Sequence, residues 1–420
     1  MSFTLRGAHL VDAFSELPAS DITIDGAHIR AIGESPNAPA AGIDATDMLV
    51  MPGFIDVHTH GGGGYNLHTS DAEEIHAYAR WAPETGVTSF LIGVVGTPGE
   101  LPNTQLRAAV QAIDSWELGA EPLGIHLEGP YINLHRRGAH MESWLRQPDA
   151  AEIEQVLALT DGRLRLVTLA PELPGAADII RRLVEAGVTV SIGHSDASYE
   201  QTQEAIQLGI THATHCCNAM RPLHHRYPGP LGAIAQAPQV YGELIADGLH
   251  VHPAMMNIIV KSLGPQRTIV ITDALSAAGI PDGAFTFAGQ EAQVVRGVAR
   301  LSDGTITGSV LTMDQALRNI LQMTGVSLQE AVGMLTLNPA RAAHVSEQKG
   351  RLQVGCNADL VIFDRAFALQ ATISQGRIAF ATGAWRERLR ALEPGTLDEG
   401  AQLAPAAKTR RKSRGGRSST

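Results

Sequence analysis

Three cysteines in 420 residues, two of them the neighbours Cys216 and Cys217, exclude a disulfide scaffold and fit a reducing compartment. Positive charge is also scarce, with 32 Lys and Arg against 43 Asp and Glu and a formal charge of −11. Phosphate backbones demand concentrated positive charge, so nucleic acid is not expected as a partner, and any anionic ligand must find a local basic pocket. No run of about 18 apolar residues occurs, and the N-terminal MSFTLRGAHLVDAF lacks a basic segment followed by an apolar stretch. Neither a membrane span nor an export signal is expected, and the chain reads as cytoplasmic. With 44% hydrophobic residues and 18% charged, it is too apolar to be disordered and long enough to bury a large core.

Residues 1–52 carry short alternating runs, FTLRGAHLVD and ITIDGAHIRAIG, separated by Gly and Asp turn signals, the pattern of half-buried antiparallel strands. From 53 to 345 the pattern becomes apolar runs of strand length alternating with helical stretches, as in GVTVSIGH, SYEQTQEAIQLG and ITHATH. Such repeats predict a parallel sheet, and about eight units in roughly 290 residues favour an α/β fold built as a closed (β/α)8 TIM-like barrel. Ser70 followed by Glu73 predicts a capping box, with Gly86 ending that helix. Residues 346–385, with GRLQVGCNADLVIFD, return to short strands and are expected to rejoin the N-terminal ones as one discontinuous β-sandwich domain. Residues 386–420 form an extension ending in a basic tail, where Lys408 to Thr420 hold six Lys or Arg among Ser, Thr and Gly. Such a composition cannot bury apolar area, so the tail is expected to be disordered.

The chemically informative residues fall where the inferred strands end. His58 and His60 in FIDVHTH are two apart, so strand alternation turns both to one face at the top of a barrel, where two imidazoles can share a divalent ion. An H-x-H pair alone suits buried hydrogen-bonded histidines equally well. Four further polar groups occupy matching places: Glu128 in HLEGP, His194 in IGHSD, His215 in THATH and Asp273 in VITDA, each directly after an apolar run. Barrel active sites gather groups from the carboxyl ends of different strands, so residues about 60 positions apart can converge.

The blocks PGFIDVHTHGGGG, HLEGPYIN, RRGAH, VTLAPE, GHSDA, THATHCCNAM, ADGLHV, TDALSAAG, GSVLTM, NPAR and the GRLQVGCNADLVIFD ending run through nearly the whole chain except the basic tail. In these the chain resembles the amidohydrolase superfamily and, within it, the N-acetylglucosamine-6-phosphate deacetylases. The resemblance implies that Glu128, His194 and His215 bind the principal metal. It implies that His58 and His60 ligate a second ion, with Glu128 as the bridging carboxylate, and no strand-end Lys is needed as a carbamylated bridge. One or two divalent ions per chain are expected. Zinc is favoured, and Fe, Mn or Co suit the same imidazole and carboxylate donors. Asp273 is implied as general base and then general acid, and His140 in RRGAH as the donor that helps polarise the acetamide carbonyl.

By the same resemblance, phosphate would be held by Asn218 and Ala219, through their backbone N–H groups, by Arg226 and by His250. The Arg-bearing loop can serve a neighbouring subunit, so a homodimer with Arg226 acting across the interface is implied. GGGG at 61–64 lacks the following G-K-[ST] of a nucleotide loop and is expected to let the backbone turn closely past the metal pair. The expected reaction is hydrolysis of N-acetyl-D-glucosamine 6-phosphate to D-glucosamine 6-phosphate and acetate in amino-sugar metabolism. The alternatives are the galactosamine epimer, another N-acyl amino sugar, or a noncatalytic sugar-phosphate-binding protein on the same fold.

Overall fold

The computed structural model describes residues 2–33 and 42–389, so the basic stretch from Lys408 to Thr420 lies outside the described residues. Near the N-terminus the chain forms β1 (Ser2–Val11), β2 (Glu16–Asp25), β3 (His28–Ile32), β4 (Gly42–Asp44) and β5 (Leu49–Pro52). The barrel starts with β6 (Phe54–Asp56), is interrupted by the hairpin β7 (Gly61–Gly62) and β8 (Tyr65–Asn66), and resumes at β9 (Val87–Val95). It continues through β10 (Glu121–Glu128), β11 (Leu164–Leu169), β12 (Thr189–Ile192), β13 (His212–Ala213), β14 (Tyr241–Ile245) and β15 (Thr268–Ile271). A meander of β16 (Ala284–Phe287), β17 (Gln290–Val295) and β18 (Val298–Leu301) follows, then β19 (Leu360–Phe363), β20 (Leu369–Ser374) and β21 (Arg377–Ala381).

The eight barrel strands pair in parallel in the order β6-β9-β10-β11-β12-β13-β14-β15. Between β15 and β6 the ring closes without a ladder. The Asp273 N–H donates to the His58 carbonyl at 2.8 Å, and Thr272 Oγ1 donates to Asp56 Oδ2 at 2.6 Å. Burial pushes the Asp56 carboxyl up to about 7, against the hydrogen bonds from Thr272. The barrel strands read as unbroken apolar runs because both faces are covered; every residue of β9 is buried. Helices pack outside by apolar stripes, as in Ala176–Glu185, where Ala176, Ile179, Ile180 and Leu183 are buried.

Both chain ends meet in one mixed sheet of order β21-β20-β19-β5-β1-β2-β3, with β4 paired to β1 and its own apolar cluster around Phe3, Ile22 and Ile362. Lys349 joins this unit to the barrel, reaching Asp359 at 2.6 Å and Glu121 at 2.7 Å.

Two local expectations are corrected. Helix Ala72–Trp81 is capped by Asp71, whose side chain accepts from the Glu73 N–H at 3.0 Å, and not by a Ser70–Glu73 box. The Glu73 carboxylate goes instead to Arg80 at 2.6 Å and to His76, which leaves nothing to reach back to Ser70. Gly86, at φ 85°, ends a separate 3-10 turn over Ala82–Thr85. The glycines at 61–64 serve a hairpin pressed under Trp81: a Cβ on Gly62 would sit 2.2 Å from the indole, and one on Gly61 2.2 Å from the Tyr65 carbonyl.

Candidate active site

Strand ends bring the polar groups together at the carboxyl mouth of the barrel. Glu128 closes β10 and is buried beneath five imidazoles. Its Oε1 faces His194 Nε2 at 3.1 Å, His215 Nε2 at 3.2 Å and His58 Nε2 at 3.5 Å; its Oε2 faces His60 Nε2 at 3.3 Å and His140 Nε2 at 3.4 Å. Asp273 Oδ1 lies 3.3 Å from His60 Nε2 and 3.6 Å from His58 Nε2. His194, His215 and Asp273 all hold left-handed backbone, at φ 48°, 29° and 48°. Non-glycine residues keep that conformation only where the surroundings over-determine it, which is common at functional sites.

The electrostatics follow from packing so many titratable groups in one dry space. Burial pushes the Glu128 carboxyl upward, yet the charge of His58 and the hydrogen bonds from His140, His194 and His215 hold it well below the usual carboxylate range. Asp273 is likewise held low against its burial, by His58 and His60. Burial opposes the charge on His60, but Asp273 and Glu128 push it up to about 9; His58 is raised well above the ordinary histidine range, against burial, by Glu243, Glu128 and Asp273. His140, where burial dominates, is held below that range.

Two sets of three donors converge closely enough to hold ions: His58, His60 and Asp273, and Glu128, His194 and His215. The residues fit a divalent metal on their own chemistry. His194 Nδ1 donates to the Arg136 carbonyl at 2.8 Å, which leaves Nε2 as the nitrogen available to an ion, and the buried His58 Nε2 has no hydrogen-bond partner. Imidazole nitrogens and carboxylate oxygens at this density are a transition-metal donor set.

One pocket is lined by His60, Glu128, His140, His194, His215, Asn218, Ala219, His250 and Asp273. His58 lies beneath it. Arg226 is exposed on a loop and contributes nothing to this pocket, while His250 sits at its rim with Nδ1 2.6 Å from Asp247 Oδ2. The expected pair of backbone donors is halved: the Asn218 N–H is committed to the His215 carbonyl at 2.9 Å, because the left-handed turn after His215 folds it back. Only the Ala219 N–H is left for an anion.

The sequence reading missed three features. Glu243, inside the run GELIADG, is fully buried and accepts from His58, His212 and the His215 backbone; an acid within an otherwise apolar strand was the available signal. His126, behind His58 at 4.6 Å between ring centroids, bonds Thr168 Oγ1 at 2.8 Å. The β16–β18 meander roofs the pocket, with the Phe287 ring 5.4 Å from that of His60 and Gln290 Nε2 donating to the Ala139 carbonyl at 3.0 Å. Its residues lie inside the 53–345 stretch assigned to the barrel, where nothing in the sequence set them apart.

The model of the amidohydrolase family matches residues 49–379. N-acetylglucosamine-6-phosphate deacetylase of Lysinibacillus sphaericus is 36% identical over 383 residues, covering 91% of this chain and 99% of that protein. N-acetylgalactosamine-6-phosphate deacetylase of Escherichia coli O157:H7 is 36% identical over 379 residues, covering 90% and 100%. Among solved structures, a variant of N-acetyl-D-glucosamine-6-phosphate deacetylase from Mycobacterium smegmatis in complex with N-acetyl-D-glucosamine-6-phosphate superposes with a TM-score of 0.85 at 35% identity, covering 91% of this chain and 99% of that one.

Proposed function

The chain belongs to the amidohydrolase family, and on that premise we propose that it hydrolyses the acetamide of N-acetyl-D-glucosamine 6-phosphate to D-glucosamine 6-phosphate and acetate. The observation that carries this reading is the convergence of the Glu128, His194 and His215 donors with Asp273 in one pocket that also holds His140 and His250. Glu128, His194 and His215 would hold the principal ion, and His58 and His60 a second one, with zinc favoured over Fe, Mn or Co. A divalent ion held there would supply the acidification of a water ligand and the polarisation of the amide carbonyl.

The chain's own groups do the rest. Asp273, ionised and beside His60, takes a proton from the attacking water and returns it to the nitrogen as the C–N bond breaks, so the amine leaves neutral. His140, which lines the same pocket, would donate to the acetamide oxygen as negative charge develops, an interaction that strengthens toward the transition state. Asp247 holds His250 as a donor for the phosphate, and the Ala219 N–H adds a second. Arg226, exposed and outside its own chain's pocket, is read as completing the phosphate site of a neighbouring subunit in a homodimer. The three cysteines are unpaired, in keeping with the cytoplasm, and no helix among the described residues is long and apolar enough to cross a membrane.

The galactosamine epimer is a second reading, favoured by the equal identity of the Escherichia coli relative. Acetate release from purified protein, with kcat/KM measured side by side on the two epimeric 6-phosphates, tests both. Preference for the galacto substrate would overturn the first reading, and no release from either would overturn the enzyme assignment.

A further inference from the structure

Beneath the candidate ligands lies a carboxylate that the hydrolysis itself does not use. Glu243 is carried on β14 and is fully buried. A buried carboxylate persists only with compensating donors, and Glu243 has three. Its Oε2 meets His58 Nδ1 at 2.8 Å and the His215 N–H at 3.0 Å, and its Oε1 meets His212 Nε2 at 2.9 Å.

An ionised carboxylate only accepts, so the ring nitrogens that face it carry the protons. His58 is thereby held with a proton on Nδ1. Its Nε2, the ring nitrogen left for an ion, is turned toward Glu128 Oε1 and Asp273 Oδ1, and that atom has no hydrogen-bond partner. The other ligand imidazoles lack a carboxylate behind them: His194 Nδ1 meets the neutral Arg136 carbonyl, and His60 Nδ1 and His215 Nδ1 meet no partner. A single oxygen, Oε2, therefore joins the ring of His58, from one donor set, to the backbone of His215, from the other.

We propose that Glu243 is the positioning residue that makes His58 a ligand, so that retention of the second divalent ion requires a carboxylate at 243. The inference rests on the two-ion reading above. Glutamine at 243 has one acceptor oxygen for three converging donors. If its NH2 faces His58, the imidazole must accept at Nδ1 and carry its proton on Nε2, which closes that ligand position. Outer partners of metal-bound histidines typically change metal affinity by about 10- to 100-fold.

The test uses full-length protein depleted of metal and titrated with Zn2+, with ions per chain measured by mass spectrometry after dialysis, the two affinities by calorimetry, and the thermal midpoint of the metal-free form. The parent is expected to retain two ions. Glu243→Gln should retain one, with the second bound about 10- to 100-fold more weakly and the metal-free midpoint little changed. Glu243→Asp, which keeps the charge at shorter reach, should recover part of the second site. His212→Asn, which disturbs the same carboxylate from its far side, should keep both ions and guards against a general packing effect. One ion in the parent overturns the two-ion reading and this inference together. Two ions at parental affinity in Glu243→Gln overturn this inference alone. So does loss of the second ion in His212→Asn to the same extent as in Glu243→Gln, and, if Glu243→Gln does not fold, so does a folded Glu243→Asp with no second ion.

Discussion

His194 Nε2 and His215 Nε2 stand 3.1 Å apart, and both face the same carboxylate oxygen of Glu128. Because the far nitrogen of His194 already donates to a carbonyl, its inward nitrogen is the one left to bind an ion at a point shared with His215. These two and Glu128 make a three-ligand site with an open position. Replacing His194 or His215 by Ala should abolish turnover and lose the principal ion. Replacing His58 or His60 should remove mainly the second ion and leave part of the activity. Metal content per chain, measured beside kcat, checks the inequality, and equal losses from all four variants would contradict it.

Asp273→Asn keeps the shape of the side chain but cannot move a proton. Turnover should fall by about 10²- to 10⁴-fold, while the principal ion and the thermal midpoint persist. Asp273 also faces His60 and His58 within the second donor set, so the variant has a second readable outcome. Loss of the second ion together with activity would assign it as a ligand, and turnover within tenfold of the parent would remove it from the chemistry.

Arg226→Ala and His250→Ala should each raise KM for the phosphorylated substrate by roughly 10- to 150-fold with metal content unchanged, since a charged hydrogen bond contributes about 1.5 to 3 kcal/mol. Burial opposes a charge on the His250 ring, but the hydrogen bond and charge of Asp247 overrule it and hold it above the usual histidine range. Its proton therefore stays on below that raised pKa, and KM should climb as pH rises through it in the parent but not in His250→Ala. Because Arg226 lies outside its own chain's pocket, mixing Arg226→Ala with Asp273→Asn subunits should restore activity in the mixed dimer. No restoration would count against action across an interface.

Lys349 is almost wholly buried between Asp359 and Glu121, where the chain-end sheet meets the barrel. Burial alone would depress its pKa, and the two carboxylates raise it instead. A raised folded-state pKa means that the stabilisation is fully present below the ordinary lysine value of 10.5 and is lost as pH rises above it. Lys349→Met leaves two acids facing each other in the seam and should cost about 3 kcal/mol or more. Thermal melts at neutral pH should show a clear drop in midpoint, and the gap between parent and variant should close above pH 10.5.

The sequence by itself determined the local halves of this site. The acids and histidines that end apolar runs, Glu128, His194, His215 and Asp273, sit where a barrel opens, and His58 and His60 follow the first barrel strand, which ends at Asp56, so that the bend after it and not strand alternation sets their directions. The cap of helix Ala72–Trp81 is not legible locally, because Ser70 and Asp71 are both good caps and the choice depends on Glu73 turning to Arg80, seven residues away. What only the tertiary structure decided is which groups meet. Glu243 reaches His58 across 185 positions, Lys349 pins β10 to the far sheet, and the β16–β18 meander folds over the ring of His60. Arg226, read with the phosphate residues, stands apart from them in its own chain. Periodicity records which face of an element is buried; it carries no information about the partner on the other side, because that partner is selected by closure of the ring and by the pairing of charges that burial makes too costly to leave alone.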